Sequence, residues 1–503
     1  MNHKHTKPTM RYTPTHIGRL LLCAAILLGA HHALPTTLRA QQNSEMEKLV
    51  NQTHRENGMR HGVLAVSVYN TTNGTMVYSH NGDLGMTPAS VAKLFTTGAG
   101  FDLLGKDFRF NTKVAVRGDI DRDGVLHGNI YIIGGGDPLL GSYRYRQTTP
   151  DSLFEGWTRA LRKKGIRRVD GRVCYNVSIF DEQPLHDSWQ WGDVGNYYAA
   201  GVSGLNFHEN MYFVYFNAGK KLGYPASAAR TVPKNIDIHS SSEVTTAAAN
   251  TGDNVTIYGT PTSKERLYRG TVPLGKTDFP VRGAMPNPAR TCADLFASHL
   301  RSHGIGISSN SMQVYSTPDS LRPVLDYFST SYYTIAQYTN LTSNNVYAES
   351  IFKYLGYSKY GLGSFDNGSR AVTEWLKGKG LDTEGIVIAD GSGLSRLNRT
   401  TTDFLCRYLA AMKKEPYDDE FLQSMAKVGE SGTAKNMLPN LPMGITVRVK
   451  TGTMNGVKAY AGYIINSHGQ TLTFAIVSNG HDCSDQVAAE KLNKILHKIA
   501  TLY

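Results

Sequence analysis

Both ends of the chain carry the same kind of pattern, and this constrains the fold more than any other feature. Residues 62–81 read as two strands joined around Asn73-Gly74, a dipeptide typical of hairpin turns. Residues 444–467 and 471–480 read as consecutive antiparallel strands, and residues 485–503 have apolar side chains at helical spacing. A further amphipathic helix is predicted over residues 44–57. Strands and a helix at each end, with helices between them, predict one α+β domain.

The stretch between these ends interrupts the domain. Residues 111–289 contain many short alternating segments and turn signals, with few long helical patterns. We therefore expect one or more inserted β-rich domains over residues 111–289, and an α+β domain formed by residues 41–110 and 290–503.

Residues 1–40 have the composition of an export signal. Basic residues precede an apolar run over residues 20–30 that is too short to span a bilayer, and a plausible cleavage point follows Ala40. A lipoprotein anchored at Cys23 is the weaker alternative, because the apolar run continues beyond that cysteine. Cleavage would lower the net charge from +12 to +7, 48 Lys and Arg against 41 Asp and Glu. No basic block indicates a nucleic-acid partner.

Metal-binding patterns are weak, and we predict no metal and no cofactor. The acidic residues 119–124 resemble the opening of a calcium loop, but Ile130 occupies the twelfth position, so a hairpin turn is favoured. Four cysteines lack ligand spacing; buried thiols are expected, and one or two disulfides stay possible: Cys174, Cys292, Cys406 and Cys483.

Ser90 and Lys93 are the first candidates for covalent chemistry. Thr87 suits a helix N-cap and Pro88 the first helical position, so Ser90 falls in the first turn with Lys93 one turn on. A serine hydroxyl becomes nucleophilic when a neighbouring amine of lowered pKa takes its proton. Free N–H groups at the helix start can hold an oxyanion.

Two more elements offer hydroxyls and a second amine. Ser343 and Asn345 are predicted to open an apolar helix, and Asn345 could position a lysine or a substrate amide. Lys450 ends an alternating strand and suits a carboxylate. It is followed by two hydroxyls and a glycine that allows close approach: Thr451, Gly452 and Thr453.

Two of these patterns recur elsewhere in the chain. Ser424 and Lys427 repeat the first spacing, in what reads as a helix interior where the backbone N–H groups are already used. Ser308 and Asn310 repeat the second in a polar turn.

In this order and on these elements, S-x-x-K, S-x-N and K-T-G make the chain resemble the low-molecular-mass class C penicillin-binding proteins, D-alanyl-D-alanine carboxypeptidases/endopeptidases. GGGDPLL at residues 134–140, DGSGLSR at residues 390–396 and the 253-residue gap from Ser90 to Ser343 are similar to this family as well. The resemblance implies a penicillin-binding transpeptidase-like domain, an antiparallel sheet flanked by helices, with inserted domains. It also implies a periplasmic enzyme that acts on peptidoglycan stem peptides and cross-links and is acylated by β-lactams.

The resemblance also assigns roles to the matching residues. Ser90 would attack the carbonyl between two D-alanines with Lys93 as general base, and Ser343 would relay a proton to the departing amine. The N–H groups of Ser90 and Thr453 would form the oxyanion hole. The terminal carboxylate and the substrate backbone would be bound by Lys450, Thr451, Gly452, Thr453 and Asn345. A pocket for the diamino acid of the stem peptide would comprise Asp193, Tyr198, Arg396 and Asn455.

Two other functions are weighed against this one. A serine β-lactamase is disfavoured by the inserted domains and by the absence of an evident deacylating Glu in a matching segment. A non-catalytic peptidoglycan-binding scaffold would be expected to have lost Ser90, Lys93 or Lys450, and all three are present. The oligomeric state and the balance of activities stay open.

Overall fold

The computed structural model describes residues 36–234, 236–308, 310–467 and 469–503. Residues 1–35 of the predicted export signal lie outside the described residues. The α-helices of the described residues are α1 (Thr36–Arg55), α2 (Lys93–Leu103), α3 (Pro150–Lys163), α4 (Pro288–Ser302), α5 (Tyr332–Thr342), α6 (Asn345–Tyr360), α7 (Phe365–Gly378), α8 (Thr402–Met412), α9 (Asp418–Ser424) and α10 (Asp485–Leu502). Among them, no helix has the length and apolar character needed to cross a membrane.

The strands of the described residues are β1 (Val63–Asn70), β2 (Thr75–His80), β3 (Asn111–Ile120), β4 (Val125–Ile133), β5 (Arg168–Val169), β6 (Val173–Asn176), β7 (Met211–Asn217), β8 (Ser227–Val232), β9 (His239–Ala247), β10 (Asn254–Tyr258), β11 (Glu265–Pro273), β12 (Phe279–Ala284), β13 (Met312–Val314), β14 (Arg322–Phe328), β15 (Ala426–Lys427), β16 (Thr446–Met454), β17 (Val457–Ile465) and β18 (Thr471–Asn479).

One antiparallel sheet joins the two ends of the chain. Its strand order is β15-β16-β17-β18-β1-β2, so the N-terminal strand β1 lies between β18 and β2. The pairing of β1 with β18 runs from Val63 opposite Asn479 to Asn70 opposite Leu472. Strands from both ends of the chain thus share one sheet, as the α+β interpretation of the sequence requires.

Helices cover both faces of this sheet, which explains why its central strands are apolar at nearly every position. Met46 of α1 and Leu492 of α10 belong to one core with Phe474 of β18. Leu94 of α2 and Leu405 of α8 belong to the other core, and α5, α6 and α7 extend that layer. Strands buried on both faces lose the alternation of polar and apolar residues.

The inserted part is β-rich, as predicted, and contains two separate cores. A six-stranded sheet pairs in the order β13-β6-β4-β3-β14, with β5 also paired to β4. Trp157 of α3 and Phe296 of α4 pack in its core. Strands β7 to β12 form two three-stranded sheets around Tyr212, Phe216 and Tyr268.

The insertion extends further than residues 111–289. Strand β14 pairs antiparallel with β3, from Arg322 opposite Val116 to Phe328 opposite Asn111, and β13 pairs parallel with β6. Helix α4 lies in the same core, so residues 288–328 belong with the inserted sheet and not with the α+β domain. The sequence could not indicate this boundary for two reasons. The apolar pattern of α4 would suit a helix in either domain. The pairing of β14 with β3, about 200 residues earlier, leaves no local pattern.

Two smaller expectations concern the insertion and the cysteines. The acidic stretch forms the β3–β4 hairpin turn, where Asp121 Oδ1 accepts hydrogen bonds from the N–H groups of Asp123 and Val125. The four cysteines after residue 40 are free thiols, three of them buried: Cys174, Cys292, Cys406 and Cys483.

Candidate active site

Ser90 lies on a 3-10 helix, Ala89–Ala92, that leads directly into α2. The ammonium nitrogen of Lys93, the first residue of α2, donates a hydrogen bond to Ser90 Oγ at 2.9 Å. The predicted N-cap at Thr87 is wrong: no side chain caps the 3-10 helix, and the backbone of Thr87 instead makes two hydrogen bonds to the Asn479 side chain. Ala89 has φ 46°, so strained backbone directly precedes the serine.

Lys93 is fully buried and makes two further hydrogen bonds. Its Nζ donates to Asn345 Oδ1 at 2.6 Å and to the carbonyl oxygen of Ser392 at 2.7 Å. Burial lowers its pKa to about 7, although the nearby carboxyl groups of Glu349 and Asp390 act in the opposite direction. An amine with this pKa can take a proton from Ser90 near neutral pH.

The helices α5 and α6 meet at Ser343 and present the second hydroxyl. Ser343 adopts a left-handed conformation, φ 57°, at the end of α5, so it does not open α6 as predicted. Asn344 is the N-cap of α6, and Asn345 is its first residue. Asn345 uses both ends of its amide, because it accepts from Lys93 and donates Nδ2 to the Tyr198 carbonyl oxygen at 2.6 Å.

Strand β16 supplies Lys450, which is fully buried. Lys450 Nζ donates to Ser343 Oγ at 2.9 Å and to the Thr451 carbonyl oxygen at 2.7 Å. Burial, and then the positive charge of Lys93, hold the pKa of Lys450 well below its usual value. A bound carboxylate would favour the protonated form of this amine.

Gly452 allows β16 to pack against the 3-10 helix of the serine. A Cβ atom at this position would lie 2.7 Å from the Pro88 carbonyl oxygen and 3.0 Å from the Ser90 nitrogen. The two hydroxyls beside it also have partners: Thr451 donates to Thr433 Oγ1 at 2.8 Å, and Thr453 accepts from Lys458 Nζ at 2.9 Å.

These elements surround a cavity of about 930 Å³. Its lining includes eight of the residues singled out in the sequence: Ser90, Asp193, Tyr198, Ser343, Asn345, Arg396, Thr453 and Asn455. Lys93 and Lys450 lie fully buried within hydrogen-bond distance of the two serines. All three motifs therefore meet at one cavity, with Thr451 and Gly452 on the same strand as Lys450.

The four residues of the predicted second pocket lie in two pairs along this cavity. The hydroxyl of Tyr198 donates to Asp193 Oδ1 at 3.1 Å, and Arg396 Nη2 donates to the Asn455 carbonyl oxygen at 3.1 Å. The carboxyl group of Asp193 and the guanidinium group of Arg396 therefore belong to the lining of the same cavity.

The repeated motifs form no such arrangement. Ser424 is the last residue of α9 and is buried, with its hydroxyl donating to the Phe421 carbonyl oxygen at 2.6 Å. Lys427 lies beyond the helix in β15, where it pairs with Glu430. The pair is therefore not in a helix interior, and the two side chains have different partners.

Sequence reasoning missed the residues that support the lysine. Glu349 is fully buried on α6, and its carboxylate accepts from the N–H groups of Gly391 and Ser392 at 2.9 and 2.8 Å. These bonds fix the Ser392 carbonyl that Lys93 contacts. Burial, and then the nearby carboxyl group of Asp390, raise the pKa of Glu349. A glutamate within an otherwise apolar helical stretch was the available signal.

A possible metal-ligand cluster lies in the insertion, not at this cavity. Ligand atoms of Glu155, His299 and His303 fall within 4.8 Å of one another, and this is the one such group among the described residues.

Comparison with known proteins decides the family. The model of the D-Ala-D-Ala carboxypeptidase 3 (S13) family matches residues 45–500. The chain belongs to this family. The resemblance inferred from the three motifs is confirmed, and the S13 protein is a D-Ala-D-Ala carboxypeptidase.

Similar proteins cover almost the full length of this S13 chain. It is 28% identical to a D-alanyl-D-alanine carboxypeptidase of Actinomadura sp. (strain R39), over 90% of this chain and 84% of that one. It is 24% identical to the D-alanyl-D-alanine carboxypeptidase DacB of Haemophilus influenzae, over 95% and 96% of the two chains. The crystal structure of penicillin binding protein 4 (dacB) from H. influenzae aligns with a TM-score of 0.76 at 23% identity, covering 91% of this chain and 98% of that one. The transpeptidase-like fold with inserted domains is thereby confirmed.

Proposed function

We propose that this S13 enzyme hydrolyses D-Ala-D-Ala bonds of peptidoglycan stem peptides through an acyl-serine at Ser90. One observation carries the proposal. Lys93, with a pKa near 7, donates to Ser90 Oγ at the cavity where Lys450 donates to Ser343 Oγ. Two hydroxyl–amine pairs at one cavity provide both a nucleophile with its base and a proton donor for a leaving amine.

The reaction follows from these contacts. Neutral Lys93 takes the proton of Ser90 as Oγ adds to the peptide carbonyl, and the N–H groups of Ser90 and Thr453 stabilise the oxyanion. The C–N bond then breaks as Ser343 relays the proton held by Lys93 to the departing amine, which leaves Lys93 neutral, Ser343 as a hydroxyl and Ser90 carrying the acyl group as an ester. Water hydrolyses this ester and restores the serine.

The substrate is held on both sides of the scissile bond. Lys450 and the hydroxyls of Thr451 and Thr453 bind the terminal carboxylate, and Asn345 binds the substrate backbone. Charge complementarity assigns the diamino-acid side chain of the stem peptide to the second pocket. Asp193, with Tyr198, receives the ammonium group, and Arg396, beside Asn455, receives the carboxylate.

The proposal includes cross-link cleavage, inhibition and location. The amine that leaves could be free D-alanine or the side-chain amine of a second stem peptide, so the enzyme acts as carboxypeptidase and DD-endopeptidase.

β-Lactams acylate Ser90; a structure of the H. influenzae protein in complex with a β-lactam supports this. Such substrates place the mature enzyme, cleaved near Ala40, in the periplasm. Residues 41–110 together with 329–503 form the catalytic domain.

The test is covalent labelling with a fluorescent penicillin. We expect the wild type to become labelled and Ser90→Ala to stay unlabelled, while Ser308→Ala, an exposed serine of the repeated S-x-N pattern, is labelled normally. Equal labelling of Ser90→Ala would overturn the assignment. Mass spectrometry of products from a D-Ala-D-Ala pentapeptide and from a cross-linked muropeptide then measures the two activities, and rapid turnover of the penicillin would instead indicate a β-lactamase.

A further inference from the structure

Arg144, outside all three motifs, lines the catalytic cavity with its guanidinium fixed in place. Its Nε and Nη2 atoms donate to the two carboxylate oxygens of Glu209 at 2.8 and 3.1 Å, and its guanidinium carbon lies 4.7 Å from the centre of the Tyr338 ring. The side chain is 39% exposed, and Nη1 has no hydrogen-bond partner among the described residues. A guanidinium held on one edge presents its remaining donors in a fixed direction.

The anchor of this arginine is a buried carboxylate. The Glu209 side chain is only 4% exposed and accepts three more hydrogen bonds, from Ser142 Oγ at 2.6 Å, from the Tyr347 hydroxyl at 3.1 Å and from Asn344 Nδ2 at 3.4 Å. The carboxylate is therefore saturated by donors on the protein side. It serves to position Arg144 and has little capacity left to bind a ligand cation.

Backbone strain presents Glu209 at the cavity. His208, Glu209 and Asn210 are three consecutive non-glycine residues with left-handed φ angles of 57°, 54° and 51°. The Asn210 side chain holds this turn, because it accepts from the Phe207 N–H at 2.9 Å and donates to the Gly201 carbonyl oxygen at 2.8 Å. Strain of this kind persists only where the surroundings impose it, and it concentrates at ligand-binding sites.

Two residues near Arg144 lie close to Ser343 along the chain. Asn344, which contacts Glu209, directly follows Ser343, and Tyr338 lies on the helix that ends at Ser343. In the proposed mechanism the departing amine receives its proton at Ser343. The residues proposed for the diamino acid line the same cavity but have other partners, since Tyr198 accepts from Asn345 and Arg396 donates to Asn455.

The two leaving groups differ in the carboxylates that they offer to this arginine. A released D-alanine has a single carboxylate, which the proposed mechanism assigns to Lys450 and its neighbouring threonines. A stem peptide released from a cross-link carries further carboxylates beyond the amine that leaves. A fixed guanidinium in the same cavity as the proton donor matches such a group in charge.

We propose that Arg144, positioned by Glu209, forms a carboxylate subsite for the leaving stem peptide and so favours cross-linked over uncross-linked substrates. This rests on the proposed function above. The covalent chemistry is unchanged, and the subsite acts by orienting the leaving strand against Ser343.

The experiment compares two substrates and two arginine variants. For Arg144→Gln we expect kcat/KM for a cross-linked muropeptide dimer to fall about 10- to 100-fold, the effect of losing a charge-assisted hydrogen bond, with the pentapeptide changed less than about twofold. Arg122→Gln, at the exposed β3–β4 turn, is the matched control and should change neither. An equal fall in kcat/KM for both substrates, or no fall for either, would overturn the proposed subsite.

A second arm uses the unaltered enzyme. A dimer whose leaving strand keeps the carboxylate beside the scissile bond, the one assigned to Lys450, but has its further carboxylates amidated should be cleaved by the wild type as slowly as Arg144→Gln cleaves the free acid, and the variant should not distinguish the two dimers. A wild type that prefers the amidated dimer, or that cleaves the pentapeptide but no dimer, also overturns the subsite. Failure of the proposed function is distinct, because the wild type would then neither bind penicillin covalently nor cleave either substrate.

Discussion

Lys93 and Asn345 are 252 positions apart in the chain, and a hydrogen bond of 2.6 Å joins the lysine Nζ to the asparagine side-chain oxygen Oδ1. The whole insertion lies between them in sequence. The contact joins the helix that follows Ser90 to the helix that follows Ser343. It fixes both hydroxyl groups relative to one amine.

Asn345→Ala should slow acylation without unfolding the protein. The change removes one acceptor from Lys93 and the donor to the Tyr198 carbonyl oxygen, so the amine loses part of its orientation toward Ser90. Losing a hydrogen bond to a charged group costs about 2 kcal/mol, which corresponds to a rate about 30-fold lower. The measurement is the second-order rate of penicillin labelling. Asn310→Ala, from the repeated motif, should label at the wild-type rate, and an equal rate for Asn345→Ala would contradict the prediction.

The pH dependence of acylation should follow the neutral form of Lys93. Its pKa, lowered to about 7 by burial, lies below the usual 10.5, so the base is protonated and inactive at pH 5.5 and mostly neutral at pH 8.5. The labelling rate should rise about tenfold per unit below pH 7 and level off above it. Stopped-flow labelling from pH 5.5 to 9 tests this, with correction for penicillin hydrolysis without enzyme. A rate that falls with pH, or that stays flat up to pH 9, would exclude Lys93 as the base.

The sequence predicted the architecture because its strongest signals are local. The hairpin at Asn73-Gly74 and the C-terminal strands were recognised from turn residues and periodicity, and their pairing followed from one domain formed by both ends. The boundary near residue 289 was wrong because β14 pairs with β3 across the insertion, which no local pattern records.

The motif residues meet at one cavity, and their catalytic roles stay a prediction. The residues that support them through tertiary contacts were missed. The roles of Glu349 and Glu209 can be recognised only from their partners in the structure. Glu349 accepts from the Ser392 N–H group, and Glu209 accepts from Arg144. Thr87 illustrates a different error, since its sequence suits a cap but its backbone pairs with the Asn479 side chain instead. At Thr87, hydrogen bonds to a residue distant in sequence outweigh the local preference of threonine for a helix N-cap.

Gly452→Ala should reduce activity strongly because strand β16 and the serine's 3-10 helix are in close contact. The new methyl group would lie 2.7 Å from the Pro88 carbonyl oxygen and 3.0 Å from the Ser90 nitrogen, and backbone atoms cannot turn aside as a side chain can. We expect the strand to shift, with acylation falling at least about 100-fold, since misplacement by about 1 Å is sufficient for such a loss. Penicillin labelling and a melting curve measure the two effects. Gly156→Ala, in helix α3 with nothing within 4 Å of its Cβ position, should label normally; labelling of Gly452→Ala at that same rate would refute the close-packing argument.

Glu349→Ala should affect both stability and catalysis, since one carboxylate serves two buried N–H groups. The change leaves the N–H groups of Gly391 and Ser392 without their acceptor, and each unsatisfied buried group costs about 1 to 3 kcal/mol. The free energy of unfolding in urea should therefore fall by about 2 to 6 kcal/mol. The Ser392 carbonyl, released from its fixed position, should no longer hold Lys93, so the folded variant should also label slowly. Glu384→Ala, an exposed glutamate, should match the wild type in both measurements. A Glu349→Ala protein that is destabilised yet labels at the wild-type rate would show that the carboxylate supports the fold without positioning the base.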